Sequence, residues 1–126
     1  MNPQKVYIAG QWSKKGEIAV FANKVKERGY AIGTRWLNAG DEKNGPISWK
    51  EYARRDEEDI YDCDIFILFT EVDPPDRNSR LVELGYALAY GKEVIIIGAV
   101  ETIFCTLADE IYATEEDCLI DLENGH

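Results

Sequence analysis

Residues 62–92 read DCDIFILFTEVDPPDRNSRLVELGYALAYGK. Ile65 to Phe69 is an unbroken apolar run, as expected of a strand buried on both faces; a half-exposed strand would alternate. The polar stretch Thr70 to Arg77 follows, and Pro74 and Pro75 block continuation of the strand. Asn78 or Ser79 then caps a helix that ends near Gly91. Strand, loop and helix in this order form the core of a parallel α/β unit. Glu83 falls in the first turns of the helix, just past the carboxyl end of the strand. Ligands bind at that edge of open parallel sheets.

Glu83 has two readings at this stage. A carboxylate among Leu81, Val82 and Leu84 at a strand end suits a nucleophile or base. The alternative is a surface residue favoured by the helix dipole. A capping box does not account for it, because the third residue after Ser79 is Val82.

The rest of the chain repeats the alternation. Lys5 to Ala9 (KVYIA) predicts the first strand and Gln11 to Gly16 its loop, whose lysines either receive a phosphate or open the next helix in solvent. Ile18, Phe21, Ala22 and Val25 recur at helical spacing, and Gly29 stops that helix. Tyr30 to Leu37 predicts a second strand interrupted by Gly33. Asn38 to Pro46 has loop composition and the length of either a lid or a plain connection. Trp36 and Trp49 flank it, to stack on a base or to pack in the core. Ser48 and Glu51 form a capping-box pair ahead of a helix reaching Tyr61, whose acidic last turns are expected to be mostly solvated. Glu93 to Gly98 predicts the fourth strand, Thr102 to Ala108 a short turn or helix, and Ile111 to Ala113 an edge strand. Thr114 opens a last helix. The expectation is one α/β domain over residues 1–126: a flavodoxin-like, doubly wound parallel sheet of about five strands, order 2-1-3-4-5, in a three-layer α/β/α sandwich.

Three stretches carry a resemblance. V-E-L-G-Y-A-L-A-Y-G-K-E-V-I-I-I at 82–97, the opening K-V-Y-I-A-G at 5–10, and R-D-E-E-D-I-Y-D-C-D-I at 55–65 resemble, in order and spacing, the nucleoside 2-deoxyribosyltransferase family. The resemblance spans roughly residues 5 to 98. It implies a flavodoxin-like fold and cleavage or transfer of the N-glycosidic bond of a 2′-deoxynucleoside or its 5′-monophosphate. It also implies that Glu83 is the catalytic carboxylate, that Tyr7 orients it, and that Asp56 contacts the substrate. An Asp in the loop before the Glu contacts the base in that family. Asp76 stands one residue further from Glu83 than the family pattern has it, and Asp73 competes. Assemblies in which a neighbouring subunit completes the pocket are implied too, so a homodimer or larger homo-oligomer is expected.

The chemistry agrees with these residue types. A carboxylate stabilises or traps the oxocarbenium character that develops at the anomeric carbon, and a carboxylic acid supplies the departing base with a proton. Glu83 suits the first role and Asp76 the second. Gly10 and Trp12, at the carboxyl end of the first strand, join Asn78, Ser79 and Arg80 as the substrate-binding set. The last three would make a natural anion site at a helix N-terminus. Gly10-Gln11-Trp12-Ser13 and Ser79-Arg80 depart from the phosphate-binding branch of the family, so nucleoside and nucleotide both stay open.

Composition narrows the alternatives. A net charge of −10 opposes nonspecific binding to a nucleic-acid polymer. No apolar run approaches the roughly 20 residues that span a bilayer, and MNPQK lacks the apolar core of a signal peptide. The three cysteines are scattered and the single histidine is His126, so no metal site is expected, no cofactor is expected, and a reducing cytoplasm is the simplest setting. Two other functions compete: a noncatalytic nucleotide-binding module, and an NAD-cleaving or signalling domain, since S-R-L-V-E-L resembles a segment of Toll/interleukin-receptor domains.

Overall fold

A computed structural model of the chain describes residues 2–38, 47–70 and 78–125. Strand β1 (Lys5–Ala9) leads through a 3₁₀ turn (Trp12–Lys14) to helix α1 (Lys15–Glu27) and then to strand β2 (Ala31–Ile32). A 3₁₀ turn (Arg35–Asn38) precedes helix α2 (Trp49–Asp62), strand β3 (Ile65–Phe69), helix α3 (Ser79–Ala89) and strand β4 (Glu93–Ile97). A last 3₁₀ turn (Ile103–Leu107), strand β5 (Glu110–Tyr112) and helix α4 (Glu115–Glu123) complete the described chain.

All the strands are parallel, in the order β2-β1-β3-β4-β5. Helix α1 packs beside α4 and α2 beside α3, giving the three layers of a flavodoxin-like fold. The apolar runs account for the centre of the sheet. Ile65, Phe66, Ile67 and Leu68 in β3, and Val94, Ile95 and Ile96 in β4, are fully buried. Burial of each such side chain stabilises the fold by about 1.5–3 kcal/mol. Ile18, Phe21, Ala22 and Val25 form the buried face of α1, as their spacing requires.

The second strand differs from its expected span. In place of Tyr30 to Leu37 only Ala31–Ile32 pairs with β1. Side chains then take over the hydrogen bonds that backbone would have made. The Ile8 N–H donates to Thr34 Oγ1 (2.9 Å), and the Trp36 indole Nε1 donates to the Ile8 carbonyl (2.8 Å). With both β1 groups satisfied by side chains, a longer strand has nothing left to pair with, and the chain turns at Arg35–Asn38.

The helix boundaries follow local chemistry. Ser48 Oγ accepts the Glu51 N–H (3.2 Å), while the Glu51 carboxylate turns to Arg54 (Nε to Oε2, 3.0 Å). Thr114 Oγ1 accepts the Asp117 N–H at the start of α4 (3.2 Å). Helix α3 closes with the 6→1 and 5→2 bonds of a Schellman motif: Lys92 N–H to the Ala87 carbonyl (3.0 Å) and Gly91 N–H to that of Leu88 (3.2 Å). Gly91 supplies the positive φ of 71° this turn needs. Among the described residues no helix is long and apolar enough to cross a membrane.

Candidate active site

Tyr7 lies in the middle of β1, opposite Phe66 of β3. Its ring is fully buried and stacks on that of Phe66, centroids 5.6 Å apart and 4° from parallel. A phenol so buried needs a partner for its hydroxyl. It finds the carboxyl of Glu83: Tyr7 Oη donates to Oε2. Glu83 is half-buried in the second turn of α3. Its carboxyl therefore lies against β1 although 76 positions separate it from Tyr7.

Asp56 of α2 completes the cluster. Burial, and then the negative charge of Asp56, push the Glu83 carboxyl up to about 8, while the Tyr7 hydrogen bond pulls it down. Burial and then the Asp59 carboxylate push Asp56 up to about 6, with the Arg35 guanidinium opposing. The Tyr7 phenol is held well above its ordinary value by burial and then by the charges of Glu83 and Asp56. At neutral pH the pair thus consists of a mostly ionised Asp56 and a mostly protonated Glu83. Two carboxyls pushed apart in this way can divide acid and base roles.

Asp59 belongs to the site's support, although its sequence position on an acidic helix end predicts a solvated face. It is buried and accepts two bonds from Arg35, from the backbone N–H and from Nε, both 2.9 Å. Its neighbours are engaged as well: Glu58 takes Arg35 Nη2 (3.0 Å) and Arg54 Nη1 (2.7 Å), and Glu57 takes the Tyr90 hydroxyl (2.9 Å). The available signal was the three-residue spacing of Asp56 and Asp59, which puts both on one helix face.

The remaining predicted residues are spread along the carboxyl edge of the sheet. Gly10 is half-buried directly after β1. Trp12 is 57% exposed, with its ring 6.2 Å from that of buried Trp36 and Lys15 Nζ 4.8 Å from its centroid. Trp36 is thus a core residue, whereas Trp49 is 82% exposed at the start of α2. Asn78 occupies the N-cap position of α3 without a side-chain cap bond, and exposed Ser79 begins the helix. Arg80 is buried and paired with Glu101. Asp76, Asp73 and the possible lid at 39–46 lie outside the described residues. The cysteines are buried, and burial foremost raises the thiols of Cys63 to about 11 and Cys118 to about 12. Among the described residues no His, Cys, Asp and Glu side chains cluster as metal ligands.

Two shallow clefts among the described residues lie away from Glu83. Lys14, Ile18, Phe69, Thr70 and Glu115 line one, on the α1 side of the sheet; Arg35, Glu58, Tyr61 and Tyr90 are among the residues lining the other, between α2 and α3. Chemistry singles out neither, since the buried tyrosine and the paired carboxyls lie elsewhere.

No family model matches the chain, and no curated relative matches it in sequence. Solved structures do. The CMP N-glycosidase BcmB of Clostridium botulinum superposes with a TM-score of 0.68 at 24% identity, covering 96% of this chain and 99% of that one. A 2-deoxyribosyltransferase of the psychrotolerant bacterium Bacillus psychrosaccharolyticus gives 0.76 at 18% identity, covering 91% and 90%. A conserved protein of Enterococcus faecalis V583 gives 0.77 at 16% identity, covering 98% and 99%. The likeness runs nearly end to end in each, and what the chain shares with an N-glycosidase and a 2-deoxyribosyltransferase is their whole fold.

Proposed function

We propose that the protein is an enzyme that cleaves or transfers the N-glycosidic bond of a 2′-deoxynucleoside or its 5′-monophosphate. The observation that carries this reading is the contact of the buried Tyr7 hydroxyl with Glu83, beside Asp56. A carboxyl raised to about 8 against a buried phenol and a second acid suits acid–base and nucleophilic chemistry. The likeness in fold to a CMP N-glycosidase and a 2-deoxyribosyltransferase supports the same reaction class.

The reaction runs in two steps. The Glu83 carboxylate attacks the anomeric carbon, the carbon–nitrogen bond breaks, and the base departs with the bonding electrons. Asp76, from the loop before α3, protonates the departing base. Water or a second base then attacks the glycosyl ester and restores the Glu83 carboxylate. Tyr7 fixes the carboxyl and stabilises its charge through its hydrogen bond. Asp56 orients the sugar. Trp12 offers an exposed ring, and Gly10 close backbone approach, beside the substrate. Ser79 and Asn78 flank the entrance at the start of α3. A homodimer or larger assembly completes the pocket.

Base release measured on the common 2′-deoxynucleosides and their 5′-monophosphates, with Glu83→Gln beside the unaltered protein, tests the assignment. The unaltered protein should release free base and the folded variant should not. Near-normal release by the variant would overturn the role of Glu83.

A further inference from the structure

Three consecutive residues shortly after β2 bond to two different elements. Thr34 and Trp36 turn to β1 and meet at one residue. The Ile8 N–H donates to Thr34 Oγ1 (2.9 Å), and the Trp36 indole Nε1 donates to the Ile8 carbonyl (2.8 Å). Ile8 adjoins Tyr7. Arg35, between them, turns to α2. Its backbone N–H and Nε reach the Asp59 carboxylate (both 2.9 Å), and its Nη2 reaches Glu58 Oε1 (3.0 Å) and the Arg55 carbonyl (3.4 Å). Contacts at positions 55, 58 and 59 bracket Asp56. Thr34, Trp36 and Asp59 are buried, so the bonds to them are shielded from water and unfavourable to leave unmade.

Ending β2 does not by itself call for this arrangement. Thr34 and Trp36 satisfy Ile8 without any help from Arg35. What the middle residue adds is a hold on α2. A helix uses its backbone groups within itself, so side chains must set its height and rotation against the sheet. Here one tripeptide grips the strand of Tyr7 and the helix of Asp56 at once, and Tyr7 in turn bonds Glu83. The three groups of the candidate site stand on β1, α2 and α3, and this tripeptide is a bonded link between the first two. Trp36 also backs the exposed Trp12, with ring centroids 6.2 Å apart, at the substrate edge.

We propose that Thr34, Arg35 and Trp36 form a positioning clamp for the glycosidic reaction, fixing Asp56 against the Tyr7–Glu83 pair with Asp59 as the anchor on α2. This deepens the reading above and rests on it. None of the four touches the substrate; each acts through Tyr7, Asp56 or Trp12.

The test joins kinetics to a direct reading of the site. Thr34→Val keeps the side chain's shape but leaves the Ile8 N–H without its acceptor, whereas Thr34→Ser keeps the hydroxyl. Base release is measured on the four common 2′-deoxynucleosides, with folded protein well below its melting temperature. Thr34→Val should lower kcat by about tenfold or more, the scale of a small misplacement of reacting groups, and change KM far less. Thr34→Ser should restore most of the loss. The Glu83 carboxyl, followed by carbon-13 NMR, titrates at about 8 in the unaltered protein. It should titrate lower in Thr34→Val, because the charge of Asp56 is no longer held close, and return in Thr34→Ser. Thr114→Val makes the same change at the cap of α4, so it should lower stability and move neither kcat nor the Glu83 titration. If Thr34→Val does not fold, Trp36→Phe, which keeps a ring and drops the bond to Ile8, takes its place for kcat and titration. Values of both left unmoved in the folded variant would overturn the proposal. So would a loss that Thr34→Ser does not restore, or one that Thr114→Val shares. Should every protein, the unaltered one included, release no base, the glycosidic reading falls while the Glu83 titration still decides the clamp.

Discussion

Arg35 clasps Asp59 through its backbone N–H and its guanidinium at once, both at 2.9 Å. The residue that restrains the rise of Asp56 is thereby fixed to the residue that causes part of it. Replacing Arg35 with Gln should leave the buried Asp59 short of its charged partner and lower stability by about 1–3 kcal/mol. Asp56 should also titrate higher, since the guanidinium that opposes its rise is gone. A melting curve, with carboxyl titration followed by NMR, checks both effects; an unchanged Asp56 would show that Arg35 does not act on it.

The pH dependence of the reaction follows from Glu83. A nucleophilic carboxylate must be ionised, and in the free protein this group titrates at about 8. The ratio kcat/KM should therefore climb with pH, pass its half-maximum near that value and level off above it. Asp56→Asn removes a charge that raises Glu83, so the rise should shift to lower pH, and on the proposed role of Asp56 the rate should fall as well. A pH–rate profile of both proteins decides it, and an unshifted limb would separate the two carboxyls functionally.

Glu83→Gln should abolish turnover by several orders of magnitude, on the scale of losing an essential nucleophile. Its effect on stability has a definite sign. The folded protein holds the Glu83 proton up to about 8, whereas the unfolded chain releases it near 4.5, the ordinary value for this group. Between those values the folded state binds more protons than the unfolded one, so this group costs stability as pH rises. The Gln variant lacks that loss. Its melting temperature should gain on the unaltered protein from about pH 5 upward, and the gain should be complete above pH 8. A constant difference across that range would mean that Glu83 does not titrate as described.

Self-association is expected at tens of micromolar, with light scattering reporting at least twice the 14.3 kDa of the chain. Trp36 is buried and contributes nothing to a contact surface, but Trp49 on α2, and Tyr61 and Val82 on α2 and α3, remain exposed. Aromatic and apolar side chains of this kind form interface cores. A strictly monomeric mass would remove the shared-pocket part of the proposed function.

The sheet was readable in advance wherever burial covers both faces. The runs at 5–9, 65–69 and 93–97 have almost no polar interruption, and the strand order follows from their alternation with helices. Gly91 ends α3 where a positive φ is needed. The extent of the second strand is not legible locally, because its continuation is decided by Thr34 and Trp36 bonding to Ile8, contacts that local periodicity does not encode. Within the candidate site, Tyr7, Asp56 and Glu83 are brought together on one side of the sheet. Asp59 and Arg80 are different. Their burial depends on Arg35, 24 positions away, and Glu101, 21 positions away. A charged residue read alone looks solvated until such a distant partner is known.

The parallel sheet has a consequence for how this chain acquires its chemistry. No two of the described strands are joined by a hairpin, so each of their ladders waits for a long crossover to close. The ladder between β1 and β3, which carries Tyr7 and supports Glu83, encloses all of α1, β2 and α2. Such non-local closure is slow compared with helix formation. Helical signal should therefore recover early on refolding, and the tyrosine–glutamate contact only when the central strands dock. A partly folded chain would be well supplied with helix and chemically silent.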